Sequence, residues 1–91
     1  MSGNGHRVHF SYWLHAGMWN YRFIDEGLTV LGPVRRASSA SVIRLIAERG
    51  RGFIDLEAKN MFDYGIIQGR GGLYLSLTEN QYAILKNHSP N

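Results

Sequence analysis

The clearest pattern in the chain is a strict alternation of apolar and polar residues near the N-terminus. In residues 7–15, every second side chain from Val8 to Leu14 is apolar or aromatic, and the side chains between them are mostly polar or charged. Successive side chains of a β-strand point to opposite faces, so this alternation predicts a strand with one buried face. Residues 19–24 alternate in the same way and predict a second strand.

The two predicted strands are separated by Ala16-Gly17, a pair suited to a two-residue hairpin turn. Such a turn places His15 opposite Met18, and Phe10 then falls opposite Phe23. In this register the large apolar side chains share one face, and a slip by one residue would scatter them over both faces. The side chains that we expect in the core are those of Val8, Phe10, Tyr12, Leu14, Trp19, Tyr21 and Phe23.

The rest of the chain predicts further strands and helices. Residues 28–31 predict a third strand that ends at Gly32-Pro33, because proline cannot donate to a strand ladder. Apolar residues at helical spacing predict a helix that is capped by Ser38 or Ser39 and ends at Gly50. The remaining predictions are a strand at residues 52–56, a short helix at 58–64, a turn at 69–72, a strand at 73–77, and a final helix to about 87 that begins with a capping box at 78–81.

The order of these elements, βββαβ(α)βα, predicts an α+β fold. We expect a largely antiparallel sheet of about five strands with helices packed mainly on one face. The length of 91 residues is that of one compact domain, residues 1–91, with flexible tails at residues 1–6 and 88–91.

Composition narrows the class of protein. The chain has no cysteine, which excludes disulfides and thiol chemistry and favours a cytoplasmic location. It contains no apolar run of the roughly 20 residues that cross a membrane, and its polar N-terminus is unlike a signal peptide. The formal net charge is +3, and eight of the ten basic residues are arginine. Arginine is suited to carboxylate and phosphate recognition.

The sequence offers only weak candidates for a catalytic or metal-binding site. His6 and His9 are three apart on a strand and would face opposite sides, so no metal site and no cofactor is expected. Asp55 and Glu57 would share a strand face as a carboxylate pair, but the nearby arginines can equally form ion pairs with them. The glycine–arginine segments match neither phosphate-loop motif. We therefore expect a binding protein rather than an enzyme.

The second face of the first hairpin is the candidate working surface. Trp13 stands there among polar neighbours, a setting more typical of an interface than of a core. The residues expected to contact a partner are Arg7, His9, Trp13 and Arg22. The alternative interpretation is a smaller second core, formed by Trp13, Thr29 and Leu31 under a loop or helix.

These observations favour a non-enzymatic binding protein that docks onto a larger macromolecule, most plausibly a protein. Inhibitors and accessory factors of phages and plasmids are proteins of this kind. A homodimer could cover the sheet edges or the Trp13 face. The second interpretation is direct nucleic-acid binding, and a small nuclease or toxin is the third. The residues that would bind nucleic acid are Arg35, Arg36, Arg44, Arg49, Arg51 and Arg70.

Overall fold

The fold is α+β, as the sequence predicts, with an antiparallel sheet that has four strands rather than about five. A computed structural model describes residues 5–87. The elements in these residues are β1 (His6–His15), β2 (Met18–Asp25), β3 (Val30–Ala37), α1 (Ala40–Arg49), α2 (Leu56–Gln68), β4 (Arg70–Leu77) and α3 (Glu79–Asn87). The strand order is β3-β2-β1-β4, and all neighbouring pairs are antiparallel.

The first hairpin has the predicted register. His15 pairs with Met18, and Phe10 pairs with Phe23. Ala16 and Gly17 both have positive φ, 54° and 77°. Two positive φ angles give a turn whose twist matches that of the flanking strands, which is why this dipeptide fixes the pairing of β1 with β2.

The core lies between one face of the sheet and the helices. Phe10 and Tyr12 of β1 are buried there, and all three helices contribute side chains to the same cluster. Ile43 and Ala47 come from α1, and Phe62 comes from α2. The helices therefore pack on the sheet face that the hairpin pattern marked as apolar. Leu14 is an exception, since it lies near the end of β1 and is exposed.

The third strand is longer than predicted and contains the proline that was expected to end it. β3 begins at Val30, after a loop in which Leu28 has a φ of 65°, and continues to Ala37. Pro33 is tolerated because β3 is an edge strand. The pairing with β2 also shifts at this point, from Phe23–Leu31 to Tyr21–Arg35. Residues 32–34 thus form a bulge.

The strand predicted at residues 52–56 is absent from the described chain, and this prediction was wrong. Arg51 has a φ of 59°, and the N–H of Gly52 donates to the carbonyl oxygen of Ala47 at 2.8 Å. The chain therefore turns back on α1 instead of extending beside the sheet. Asp55 then caps α2, its side chain accepting a hydrogen bond from the N–H of Ala58 at 2.8 Å.

Helix boundaries follow local signals more closely. The predicted capping box is present at the start of α3: Gln81 N–H donates to Thr78 Oγ1 at 3.1 Å, and Thr78 N–H donates to Gln81 Oε1 at 2.8 Å. α1 begins after Ser39 and ends at Gly50, as expected, although the Ser39 side chain makes no capping hydrogen bond. α2 is much longer than the short helix predicted at residues 58–64.

Gly71 and Gly72 belong to β4, not to the predicted turn at residues 69–72. Of that segment, only Gly69 has a positive φ, 86°, and it ends α2. A Cβ atom on Gly71 would lie 2.5 Å from the Tyr12 hydroxyl oxygen. Gly71 is therefore needed because β4 passes close to a large buried side chain.

The segments expected to be tails are only partly within the described residues. His6 is the first residue of β1 and pairs with Leu77, so it is not part of a tail. Residues 1–4 and 88–91 lie outside the described chain. Within residues 5–87, the helices are all too short or too polar to cross a membrane.

Candidate partner-binding face

The face of the sheet opposite the helices, called the open face here, carries all four residues predicted to bind a partner. Arg7, His9 and Trp13 alternate along β1, and Arg22 pairs with Ser11 from β2. The three helices of the described chain pack on the other face, so no helix covers this one. The alternative second core is not found in residues 5–87, since Leu31 pairs with Phe23 and is buried in the main core on the helix side.

Arg22 and Trp13 form the centre of the open face. The Arg22 guanidinium carbon lies 5.8 Å from the centroid of the Trp13 ring, within the range of a cation–π interaction. The Arg22 Nε atom is buried and has no hydrogen-bond partner among the described residues. Arg22 also lies opposite the bulge of β3 at residues 32–34. The Arg22 guanidinium thus lies against the Trp13 ring, with its Nε donor shielded from solvent.

A second cation–π pair lies beside the first, across β1 and β4. The Arg7 guanidinium carbon is 4.2 Å from the centroid of the Tyr74 ring. His9 pairs with Tyr74 across the two strands, and its ring contacts the tyrosine edge at a centroid distance of 5.1 Å. Ser11 Oγ lies 3.2 Å from Nδ1 of His9. These contacts hold the polar side chains of β1 in an ordered row.

The charged side chains that the described strands place on the open face are all basic. Arg36 pairs with Asn20, and Arg70 pairs with Trp13, so two further arginines lie on this face. Among the described strand residues whose side chains point to it, none is aspartate or glutamate. The basic side chains of the open face are those of Arg7, Arg22, Arg36 and Arg70. An unbalanced positive face of this kind attracts an acidic partner.

One end of the open face contains a cavity of about 510 Å³. Arg7, His9 and Tyr74 line it together with Asp25, the last residue of β2, and Glu26 of the following loop. The Asp25 carboxylate is already used within the protein, since its Oδ1 accepts hydrogen bonds from the N–H groups of Gly27 and Thr29 at 2.9 and 3.1 Å. This end of the face is therefore mixed in charge.

The arginines proposed as a nucleic-acid site do not form a single patch. Only Arg36 and Arg70 lie on the open face, while Arg35 pairs with Tyr21 toward the helix side. Arg44 forms an ion pair with Asp63 and lies over the Phe62 ring. The remaining two, Arg49 and Arg51, are exposed at and just beyond the end of α1.

The ion pair of Arg44 with Asp63 joins α1 to α2. The Arg44 guanidinium donates a hydrogen bond to Asp63 Oδ1, and the Lys59 ammonium group lies 3.2 Å from Oδ2. The hydrogen bond from Arg44, followed by that from Lys59, lowers the pKa of the Asp63 carboxyl below its ordinary value. This cluster explains Arg44 as a structural residue.

Sequence reasoning missed Tyr74 as a member of the open face. The alternation of residues 73–77 does point the Tyr74 side chain to the sheet face opposite that of Leu73 and Leu75. That local pattern cannot say which strand lies beside β4. The pairing of β4 with β1 brings Tyr74 beside His9 and Arg70 beside Trp13.

The candidate catalytic and metal-binding groups are dispersed. Asp55 and Glu57 do not share a strand face, because Asp55 caps α2 and Glu57 lies in its first turn. His6 is engaged by Glu79 at 2.7 Å and stacks on Tyr82, whereas His9 lies on the open face. No group of three or more His, Asp or Glu residues within the described range is arranged to hold a metal ion.

The open face is thus a basic, aromatic surface held by paired strands and left uncovered by the helices. Comparison of the chain with protein-family models, with curated proteins and with solved structures found no match.

Proposed function

We propose that this chain is a non-enzymatic binding protein that docks onto an acidic surface of a larger protein through its open face. The observation that carries the proposal is the cation–π pair of Arg22 and Trp13 on a sheet face that the described helices leave uncovered. Tryptophan, tyrosine and arginine are the side chains most enriched at interface hot spots. A carboxylate of the partner would pair with the Arg22 guanidinium, whose charge no acidic strand side chain of the open face balances.

A protein partner is favoured over a nucleic acid by the state of the aromatic rings. Base stacking needs a free ring face. The Arg7 guanidinium occupies one face of the Tyr74 ring at 4.2 Å, and Arg22 approaches the Trp13 ring at 5.8 Å. In a protein interface these stacked pairs can stay as they are, and the guanidinium edges can form forked hydrogen bonds with carboxylates.

Direct binding of single-stranded nucleic acid is the second candidate, and Arg36 and Arg70 favour it. They extend the basic row to four arginines on one sheet face, a spacing in which several phosphates could be neutralised together. In this case Arg7 and Arg22 would have to leave the aromatic rings to admit the bases.

The biological setting is part of the proposal. A cytoplasmic inhibitor or accessory factor of a phage or plasmid would need a small docking surface and no active site, which agrees with a cysteine-free chain of this size. This part rests on analogy with other small binding domains.

The test compares two acidic polymers as probes. Polyglutamate and a mixed-sequence single-stranded oligonucleotide are titrated into the labelled protein over a salt series, and backbone amide shifts locate the contact. We expect polyglutamate to perturb β1 and β2, and Arg22→Glu to abolish the effect. Arg51→Glu is the matched control, since Arg51 is also basic and exposed but lies in the loop after α1, on the helix side of β4 rather than on the open face.

The outcomes separate the candidates. Preferential binding of the oligonucleotide, with a salt slope of several phosphates, would support nucleic-acid binding instead. Degradation of the oligonucleotide in the same tubes would support the nuclease interpretation. If both probes leave the open face unperturbed, or if Arg51→Glu weakens binding as much as Arg22→Glu, the open face is not the working surface.

A further inference from the structure

The outer side of α2 is unusually apolar for an exposed helix face. Its inner side buries Phe62 in the core. Leu56, Tyr64 and Ile67 lie on the opposite side and are 69%, 63% and 79% exposed. At about 3.6 residues per turn these residues form one row together with Asn60. This row, Leu56, Asn60, Tyr64 and Ile67, is called the α2 stripe here. Contiguous exposed apolar patches mark interaction sites.

Two copies of the α2 stripe are complementary to each other when their helices run antiparallel. The midpoint between positions 56 and 67 falls between Met61 and Phe62. Two antiparallel helices centred on that point place Leu56 of one copy against Ile67 of the other. Asn60 and Tyr64 then come within one residue of each other along the pair, an amide beside a phenol hydroxyl. Apolar groups therefore meet apolar groups, and polar groups meet polar groups, as an interface between identical chains requires.

The charges beside the α2 stripe agree with the same arrangement. Lys59 and Asp63 flank the row and already form an ion pair within one helix, at 3.2 Å. In the antiparallel pair, Lys59 of one copy also faces Asp63 of the other, and symmetry repeats this contact. A parallel pair would instead align Lys59 with Lys59, which is unfavourable. Charge thus selects the antiparallel orientation.

The edges of the sheet offer poorer routes to self-association. On β3, Pro33 and the bulge interrupt the ladder. On β4, the N–H of Ser76 donates to the carbonyl oxygen of Gly50 at 3.0 Å, so the loop after α1 occupies part of that edge. Neither edge presents an unbroken ladder to a second strand.

We infer that the α2 stripe is an interface with a second copy of this chain, formed by an antiparallel α2–α2 pair about a two-fold axis near Met61. The open face lies on the other side of the sheet from α2, so a dimer would leave two open faces free. This inference is independent of the proposed function, since it concerns a different surface.

The first experiment measures the mass of the wild-type protein by sedimentation over a concentration series. We expect a concentration-dependent dimer. Ile67→Glu should weaken the dimer at least tenfold, because it places a carboxylate in the apolar row. Ile84→Glu is the matched control: Ile84 is also an exposed helical isoleucine, 56% exposed on α3, and this change should leave dimerisation intact. Circular dichroism checks that both variants fold.

The second experiment tests the orientation by cysteine crosslinking. The natural chain has no cysteine, so Leu56→Cys and Ile67→Cys introduce single thiols. Mixed under oxidising conditions, the two variants should crosslink to each other. Leu56→Cys alone should not crosslink with itself. The two copies of position 56 lie about 16 Å apart along the antiparallel pair, beyond disulfide reach.

Three results would overturn the inference. They are a wild-type protein that stays monomeric at millimolar concentration, a dimer that survives Ile67→Glu, and efficient crosslinking of Leu56→Cys with itself. Failure here leaves the polyglutamate titration unaffected, because that experiment reads the open face.

Discussion

The hydroxyl of Tyr12 donates a hydrogen bond to the carbonyl oxygen of Phe62, with 3.1 Å between the oxygens. Tyr12 lies in the middle of β1 and is 1% exposed, and its ring also packs against the Phe62 ring at a centroid distance of 4.9 Å. This pair fixes α2 against the centre of the sheet. α2 then lies where its outer side is the α2 stripe, while the open face is left on the far side of the sheet.

Tyr12→Phe should destabilise the protein by about 1 kcal/mol at neutral pH, because it removes this hydrogen bond and keeps the ring. Urea unfolding measures the loss. Tyr21→Phe is the control, since Tyr21 is only partly buried and is the neighbour of Tyr12 across β1 and β2. Equal effects of the two changes would contradict the special role of the Tyr12 hydroxyl.

Tyr12 also predicts sensitivity to alkaline pH. Burial, followed by the nearby Asp63 carboxylate, raises the pKa of Tyr12 from its ordinary value of 10.0 to about 12. The folded pKa is the higher one, so the stabilisation is complete below pH 10 and is lost as pH rises from 10 toward 12. We expect wild-type unfolding free energy to fall across that window and the fall to be smaller in Tyr12→Phe. A parallel fall in both proteins would contradict the prediction.

Gly71→Ala should be more harmful than an ordinary substitution in an edge strand. The added Cβ would lie 2.5 Å from the Tyr12 hydroxyl oxygen and 3.1 Å from the Cα atom of Gly65. Overpacking of this kind costs about 1–3 kcal/mol. Gly27→Ala is the control, because its Cβ would meet Asp25 Oδ1 at 3.5 Å and Thr29 Oγ1 at 4.0 Å, both ordinary van der Waals distances. Thermal melts that show similar stability for both variants would place β4 further from Tyr12 than described.

Asp63→Asn should change how stability depends on acid. The pKa of Asp63 is lowered, chiefly by the hydrogen bond from Arg44. A depressed carboxyl pKa contributes stability that is present above the unfolded value of about 3.9 and is lost as pH falls through the folded pKa. The stability difference between wild type and Asp63→Asn should therefore be constant above about pH 5 and shrink in stronger acid. A difference that persists unchanged at pH 2 would exclude this ion pair as its cause.

Trp13→Ala and Phe23→Ala should have opposite effects on folding and binding. Phe23 lies in the core, so its truncation should cost on the order of 3–5 kcal/mol and unfold much of a small domain. Trp13 lies on the open face, and its truncation should leave the fold intact but weaken polyglutamate binding by about 2 kcal/mol or more, if it is a hot spot. Circular dichroism and the titration measure the two effects. A Trp13→Ala protein that unfolds would indicate a structural role for this face.

The local sequence was sufficient to predict the features that depend only on nearby residues. The hairpin register follows from period-two alternation together with Ala16-Gly17, because both requirements are met within a few residues. The capping box at Thr78 and Gln81 is local for the same reason. These features place Arg7, His9, Trp13 and Arg22 on one face before any tertiary contact is known.

Tertiary structure decided which segments pair and what each surface meets. A run of apolar residues becomes a strand only where it pairs with a neighbouring strand, and residues 52–56 do not, because the chain turns back on α1 at Gly52 and Asp55 then caps α2. Pro33 remains in a strand because β3 is at the edge. Pairing of β4 with β1 brought Tyr74 and Arg70 to the open face. Local alternation was enough to assign each side chain to one face of its strand. Which strands lie side by side depends on long-range pairing, because backbone hydrogen bonds do not encode partner identity.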